Sequence, residues 1–522
     1  MPTRTGPAPV LAPALAPALA LAALFGSGAA AGAEEPLSAI DWLSQSVAVP
    51  APLPGSGGYE PAIAAGAAPE DIAVTVLDGP SPDATGLLAP QVTGLPQALW
   101  GLGRTGEIVA LIRAERIETL PALQALLTTL MLAEADPPAD AGGRGTLLLA
   151  RIDELLDVGA LEQAAALLDA AGSAKPELFR RSFDVALLTG TEDRACAQMR
   201  GNPDLAPTFP ARIFCLARSG DWNAAALTLR TAQALGFVTE EEDALLSRFL
   251  DPELYEGDPP LAKPARPSPL VWRMLEAVGE PLPTNTLPLA FAQADLRDTA
   301  GWKSQIEAAE RLARTGAIAP NRLLGIYTDR KPAASGGVWD RVADVQALDA
   351  ALAAGDAQKV AQILPGAWDR MVAAELEVPF AILFAAPLGK LALPAPVSAL
   401  AFRIALLSPG YQAAAEARKP ADTTEGFLIG LARGTADGTA PDSLGRAIAP
   451  AFRNPSPGLD AQALLQDGRI GEAILLAVDQ IGAGLRGDLP LVTQGLSLLR
   501  AVGLEDAARR TALEMMLLER RG

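Results

Sequence analysis

The chain has 522 residues, 50% of them hydrophobic and 20% charged, with 42 basic against 61 acidic residues and a formal net charge of −19. That apolar content suffices for a large core, and the acidic excess excludes nucleic acid and anionic headgroups as natural partners. Histidine is absent, which removes Ser-His-Asp and Cys-His nucleophiles, His-ligated zinc and imidazole proton shuttles at one stroke.

Alanine supplies much of the apolar fraction, aromatics are only 5%, and β-branched runs are short. Alanine is a strong helix former and lets helices approach closely, so the expected fold class is all-α. Residues 1–33 read as a signal peptide. Arg4 is the one charge before Glu34, "LAPALALAALFGSG" supplies the apolar run, and "AGA" at Ala31–Ala33 offers small residues for cleavage after Ala33. Removal of this segment leaves the mature chain more acidic by one unit. The expected location is the periplasm of a Gram-negative cell, with no transmembrane segment in the mature chain.

Residues 34–95 read as an extended linker region rich in Pro, Gly and Ala, with at most one or two short strands; "DIAVTVLDG" (71–79) alternates well enough for one. "GLGRTG", Gly101–Gly106, satisfies the dinucleotide pattern G-x-G-x-x-G. That pattern delivers phosphate to a helix N-terminus only when a buried strand precedes it. Here "TGLPQALW" precedes it, a proline-led helix start, so the glycines read as a hairpin corner.

From 96 to 250 an N-terminal helical-repeat array is expected. Glycines at 159, 190 and 220, and again at 434, 468 and 503, recur at about 30 to 35 residues, the length of a helix–turn–helix unit. After Gly220, the residues Trp222, Ala225, Ala226 and Leu229 fall at i, i+3, i+4 and i+7. The same offsets follow Gly159 (Leu161, Ala164, Ala165, Leu168), Gly355 (Ala357, Val360, Ala361, Leu364) and Gly468 (Ile470, Ala473, Ile474, Ala477). This spacing lines one helix face with apolar groups, and "SGDW" (219–222) reads as the corner of an αα-hairpin.

"CLARSGDWNAAALTLRTAQAL", "LLDVGALEQAAALLDAAG" and "LLQDGRIGEAILLAVDQIG" resemble tetratricopeptide repeats, with their Gly-Asp-aromatic corner and small residues at the helix crossing. The unit after Gly190 departs from the pattern, carrying Glu192 where the aromatic belongs. The resemblance implies an α-solenoid of stacked helical hairpins and brings no catalytic residue with it. The chain also resembles bacterial exported proteins labelled antifreeze glycopeptide-related, although an ice-binding glycopeptide needs a regular Ala-Ala-Thr repeat and this sequence has none.

Cys196 and Cys215 are the two cysteines of the chain. "RACAQMR" ends one helix, "GNPDLAPTFP" turns, and "ARIFCLARSG" runs back. Each cysteine lies about as far from the turn as the other, so antiparallel neighbours place them near the ~5.5 Å Cα separation of a disulfide. An oxidising compartment favours the bond. "TEEED" (239–243) reads as a capping box, Thr239 with Glu242, rather than a metal patch.

Between 251 and 288 a Pro-rich connection is expected, with one short helix at "LVWRMLEAVG". A C-terminal helical-repeat array follows from 289 to 522. Within it "YTDRKPAASGGVWDR" concentrates Tyr327, Arg330, Trp339 and Arg341 around a Gly-Gly loop; these residue types dominate interface energies, so the four are the candidate partner contact. "VPFAILFAAPLG" (378–389) is too short to span a bilayer and reads as a buried helix.

No Walker P-loop, G-x-S-x-G elbow, S-x-x-K dyad, EF-hand loop or C-x-x-C pair is present, so no catalytic, cofactor-binding or metal-ligating residue is assigned. The expected function is a non-enzymatic periplasmic scaffold or adaptor binding an envelope protein or peptide on a concave helical surface. The alternative is a cell-wall glycan hydrolase or lytic transglycosylase working through acidic residues. A deep cleft with two inward carboxylates would favour that alternative, and an open groove the scaffold.

Overall fold

Alanine and leucine at helical spacing, punctuated by glycine, produce a succession of helices through the whole of the described chain. The computed structural model describes residues 81–172 and 175–518. The expected signal peptide, the strand at 71–79 and most of the 34–95 linker lie outside the described residues. Among the described residues there is no strand, only an isolated parallel bridge between Leu88 and Ala133. The fold is all-α.

The hairpins form where the glycines recur. Phe209–Arg218 turns into Trp222–Ala234 at Gly220, whose φ of 84° is open to glycine at low cost. The Asp221 carboxylate then accepts the Ala224 N–H at 3.1 Å, capping the second helix. Thr146–Asp157 pairs in the same way with Leu161–Ala171, Val338–Ala353 with Ala357–Val372, and Leu459–Gln466 with Ile470–Leu485. Leu161, Ala164, Leu168, Val360, Leu364, Ala473, Ile474 and Ala477 all face the core. Trp222 departs from the stripe and is 50% exposed, its ring tilted against Phe249.

The helix expected in the Pro-rich connection is Pro269–Ala277. It packs on Pro176–Thr189 and Glu240–Leu250. Its neighbouring loops are stapled there: Glu280 takes Arg248 and the Leu261 N–H. The apolar run at 378–389 is the helix Glu377–Leu388, with Phe380 buried between Trp368 and Phe384. Among the described residues no helix is long and apolar enough to cross a membrane.

Two sets of contacts go beyond the stacking of neighbouring hairpins. In the first, a 3₁₀ run, Leu289–Leu296, and the helix Trp302–Arg314 pack against the 157–161 corner. The Gln293 amide donates to the Gly159 carbonyl at 2.7 Å, and the Thr315 hydroxyl to that of Val158 at 2.8 Å. A β-carbon at Gly159 would come within 2.6 Å of the Leu312 side chain, so this corner requires glycine for space as well as for φ.

In the second, the helices Thr105–Ala114 and Pro121–Leu132 meet Ile470–Leu485 and Glu505–Leu517, so the first and last hairpins of the array pair with each other. Gly471 N–H donates to the Leu99 carbonyl at 2.8 Å, and Leu102 N–H to that of Asp467 at 3.2 Å. The Glu514 carboxylate accepts the buried Ala122 N–H at 2.8 Å. All the described residues belong to one compact unit, and a continuous apolar core runs from Leu95 to Leu518.

Candidate functional site

A groove of about 650 Å³ opens between the helices Leu161–Ala171, Pro176–Thr189 and Glu192–Gly201 on one side and the 293–298 segment on the other. Its floor is apolar and small: Ala165, Val185, Ala186 and Leu296 line it. Small residues at these crossings set the helices close and leave a shallow strip between them. The rim is charged, and four of its charges form two pairs. Arg322 reaches Glu162 at 2.6 Å, and Arg194 reaches Asp169 at 3.2 Å. Both pairs are well exposed, so each is held weakly and is free to exchange partners.

Arg297, the third arginine of the lining, is anchored from behind. It donates to Glu276 at 2.7 Å and lies over the Trp272 ring, 5.4 Å from its centroid. Glu276 also holds Arg273, whose guanidinium makes two bonds to Glu192 at 2.8 and 3.1 Å. Glu192 is fully buried. The residue that breaks the Gly-Asp-aromatic pattern after Gly190 is thus the acceptor that docks the 269–277 helix beside the groove. The aromatic at the equivalent corner, Trp222, packs only partly, against Phe249, and stays half-exposed.

The candidate contact residues at 327–341 are placed differently from their expected role. Tyr327 is 1% exposed and donates its hydroxyl to Glu310 at 2.7 Å. Burial, reinforced by the Glu310 carboxylate, holds the Tyr327 phenol well above its ordinary pKa. Arg341 grips the same carboxylate through two bonds, at 2.8 and 2.6 Å. Trp339 is half-buried against Trp302, ring centroids 5.2 Å apart. These three side chains knit the 302–314 and 338–353 helices together. Arg330 is exposed and paired with Asp329. The four do not form one surface, because Glu310, outside the quoted stretch, draws Tyr327 and Arg341 inward.

Cys196 and Cys215 lie side by side on the antiparallel helices Glu192–Gly201 and Phe209–Arg218, Cα atoms 5.0 Å apart and sulfurs at bonding distance. Both are buried. Thr239 and Glu242 form the reciprocal capping box.

Two of the G-x-G-x-x-G glycines, Gly101 and Gly103, belong to the join between the two ends of the array, while Gly106 stands in the helix that follows with open space beside it. A β-carbon at Gly101 would overlap the Gly468 backbone, and one at Gly103 would overlap the Glu472 carboxylate. The helix N-terminus that follows is already occupied: Asp140 accepts both the N–H and the hydroxyl of Thr105, at 2.9 and 2.7 Å. A protein carboxylate sits where the dinucleotide motif would place a phosphate.

One buried cation escaped the sequence reading. Arg151 is 2% exposed, yet its guanidinium is bonded to the carbonyls of Met131 (2.7 Å), Ala133 (2.7 Å) and Thr85 (2.8 Å). Burial, partly offset by Asp83, lowers its pKa to about 10. It sits in a plain helical stretch, "LLLARIDELL", with no local signal to distinguish it from a surface arginine.

Comparison with family models, curated proteins and solved structures finds no match to this chain.

Proposed function

We propose that the chain is an exported, non-enzymatic scaffold that holds a protein or peptide partner of the cell envelope in the groove between residues 161–198 and 293–298. The reading takes the 1–33 segment as a signal peptide cleaved after Ala33, and a cysteine pair at disulfide distance agrees with an oxidising compartment.

The observation that carries the binding role is the groove itself. Its floor is apolar, Ser182, Thr191 and Gln198 supply hydrogen-bonding groups, and its rim arginines are paired with carboxylates that a partner can replace. An extended polypeptide offers the matching chemistry, with alternating side chains for the floor and carboxylates or amides for the arginines. Two of the lining carboxylates, Glu162 and Asp169, are engaged by arginine. The carboxyls that burial pushes up most, those of Glu115, Glu154 and Asp184, lie outside the groove.

A photo-crosslinking residue in place of Ser182, expressed in the exported protein, tests this. The expected result is a discrete adduct that disappears when Arg194 and Arg322 are both changed to Glu. Absence of any adduct, together with release of soluble fragments from purified cell-wall glycan, would overturn the reading in favour of the hydrolase.

A further inference from the structure

One wall of the groove is weakly supported by its own sequence. The helix Glu192–Gly201 lends the lining Arg194, Ala195 and Gln198. It has ten residues, ends on glycine, and receives no side-chain cap from Thr191. So short a helix has little stability of its own and depends on what it packs against. Of its residues only Glu192, Ala195, Cys196 and Met199 are buried.

The two halves of this helix are held differently. Charge holds the first turn, with Arg273 on Glu192 at 2.8 and 3.1 Å and Arg218 on Asp193 at 2.8 Å. Past that turn Met199 packs inward, and Cys196 is tied to Cys215 on the Phe209–Arg218 helix. The second helix is well anchored. Phe214, next to Cys215, meets the Phe183 ring edge-on at 6.5 Å and stacks on Phe249 at 5.6 Å. The sulfur link therefore fastens a thinly packed wall to an aromatic core, one residue away from Ala195 in the lining.

We propose that the Cys196–Cys215 disulfide is a redox control of the groove. Oxidised, it holds the second half of the 192–201 helix in place as a wall; reduction by a dithiol frees that half and dismantles the groove. The inference rests on the groove being the binding site. In the exchange a thiolate of the dithiol attacks one sulfur, forming a mixed disulfide, and its second thiol then displaces the protein. The S–S bond is reduced to two cysteine thiols and the dithiol leaves oxidised to its own disulfide, so electrons and protons balance. Both cysteines are at most 6% exposed, so attack requires the helix to lift first. By linkage, an occupant that braces Arg194, Ala195 and Gln198 also makes the bond harder to reduce.

Hydrogen–deuterium exchange of the full chain tests it, comparing the oxidised protein, the same protein reduced with dithiothreitol, and the double variant Cys196→Ser with Cys215→Ser. Reduction should speed exchange of the 196–201 amides by about tenfold or more beyond any change in the 161–171 and 176–189 helices, which form the rest of that side. The variant should match the reduced protein and ignore dithiothreitol. Exchange at 196–201 unchanged by reduction, or acceleration spread evenly over the three helices, would overturn the proposal. The reduced wild type decides the matter if the variant fails to fold. A photo-crosslinking residue in place of Ser182 separates the proposal from the reading it rests on. An adduct formed by the oxidised protein and lost on reduction supports both, and one that survives reduction overturns the redox control alone. No adduct from the oxidised protein overturns the binding reading, whatever the exchange shows.

Discussion

The Trp100 ring lies against Gly471, so close that a β-carbon at 471 would overlap the indole. The same glycine donates its N–H to the carbonyl of Leu99, 2.8 Å away. One residue near the C-terminus is therefore shaped by one near the N-terminus, and the contact holds the first and last hairpins together. Gly471 stands in the first turn of a helix, where alanine by itself would be preferred.

Gly471→Ala should therefore act against its helix propensity. The expected destabilisation is about 1–3 kcal/mol, the range for forcing extra volume into a packed site. In a Trp100→Leu background, which vacates the space, the same change should cost less than half as much. Urea denaturation of the four proteins of this cycle measures the coupling; equal costs in both backgrounds would refute the contact.

Arg151→Met should destabilise by about 3–5 kcal/mol, since it strands the carbonyls of Met131, Ala133 and Thr85 in the core. The loss should be local first. Thr85 belongs to the segment before Pro90, which Arg151 ties to the 121–132 and 146–157 helices, so limited proteolysis of the variant should cut within residues 81–90 before any other described region. Cleavage unchanged from wild type would show that Asp83 and the backbone bonds at Leu87 and Leu88 hold the segment alone.

Joining Cys196 to Cys215 closes a short loop, with a sequence separation of 19. In the chain-entropy model such a bond contributes about 3 kcal/mol. The double substitution Cys196→Ala with Cys215→Ala should lower stability by that order, allowing for the lost packing of two buried sulfurs. Thiol labelling of denatured, unreduced protein should find no free cysteine, and two reactive thiols per chain would refute the bond.

What the sequence by itself determined is what depends on neighbours within a turn or a hairpin. The all-α class follows from alanine-rich 3.6-residue periodicity, and the corners at Gly159, Gly220, Gly355 and Gly468 follow from glycine set between two apolar stripes. The Thr239–Glu242 cap and the approach of Cys196 to Cys215 are of the same kind: each needs only helix geometry and a turn. The tertiary structure decided everything that rests on a partner far along the chain. Glu192 is buried because Arg273, 81 residues away, covers it. Trp222, at the matching corner, keeps half its surface exposed, with Phe249 beside it. Tyr327 and Arg341 turn inward because Glu310 gives both a buried acceptor, so their residue types, which suggest an interface, serve packing instead. Gly101 and Gly103 of "GLGRTG" leave no room for a side chain because Gly468 and Glu472 are brought against them, and no local pattern carries that information. Periodicity reports which face of a helix is apolar; which distant element covers that face depends on how all the hairpins fit together.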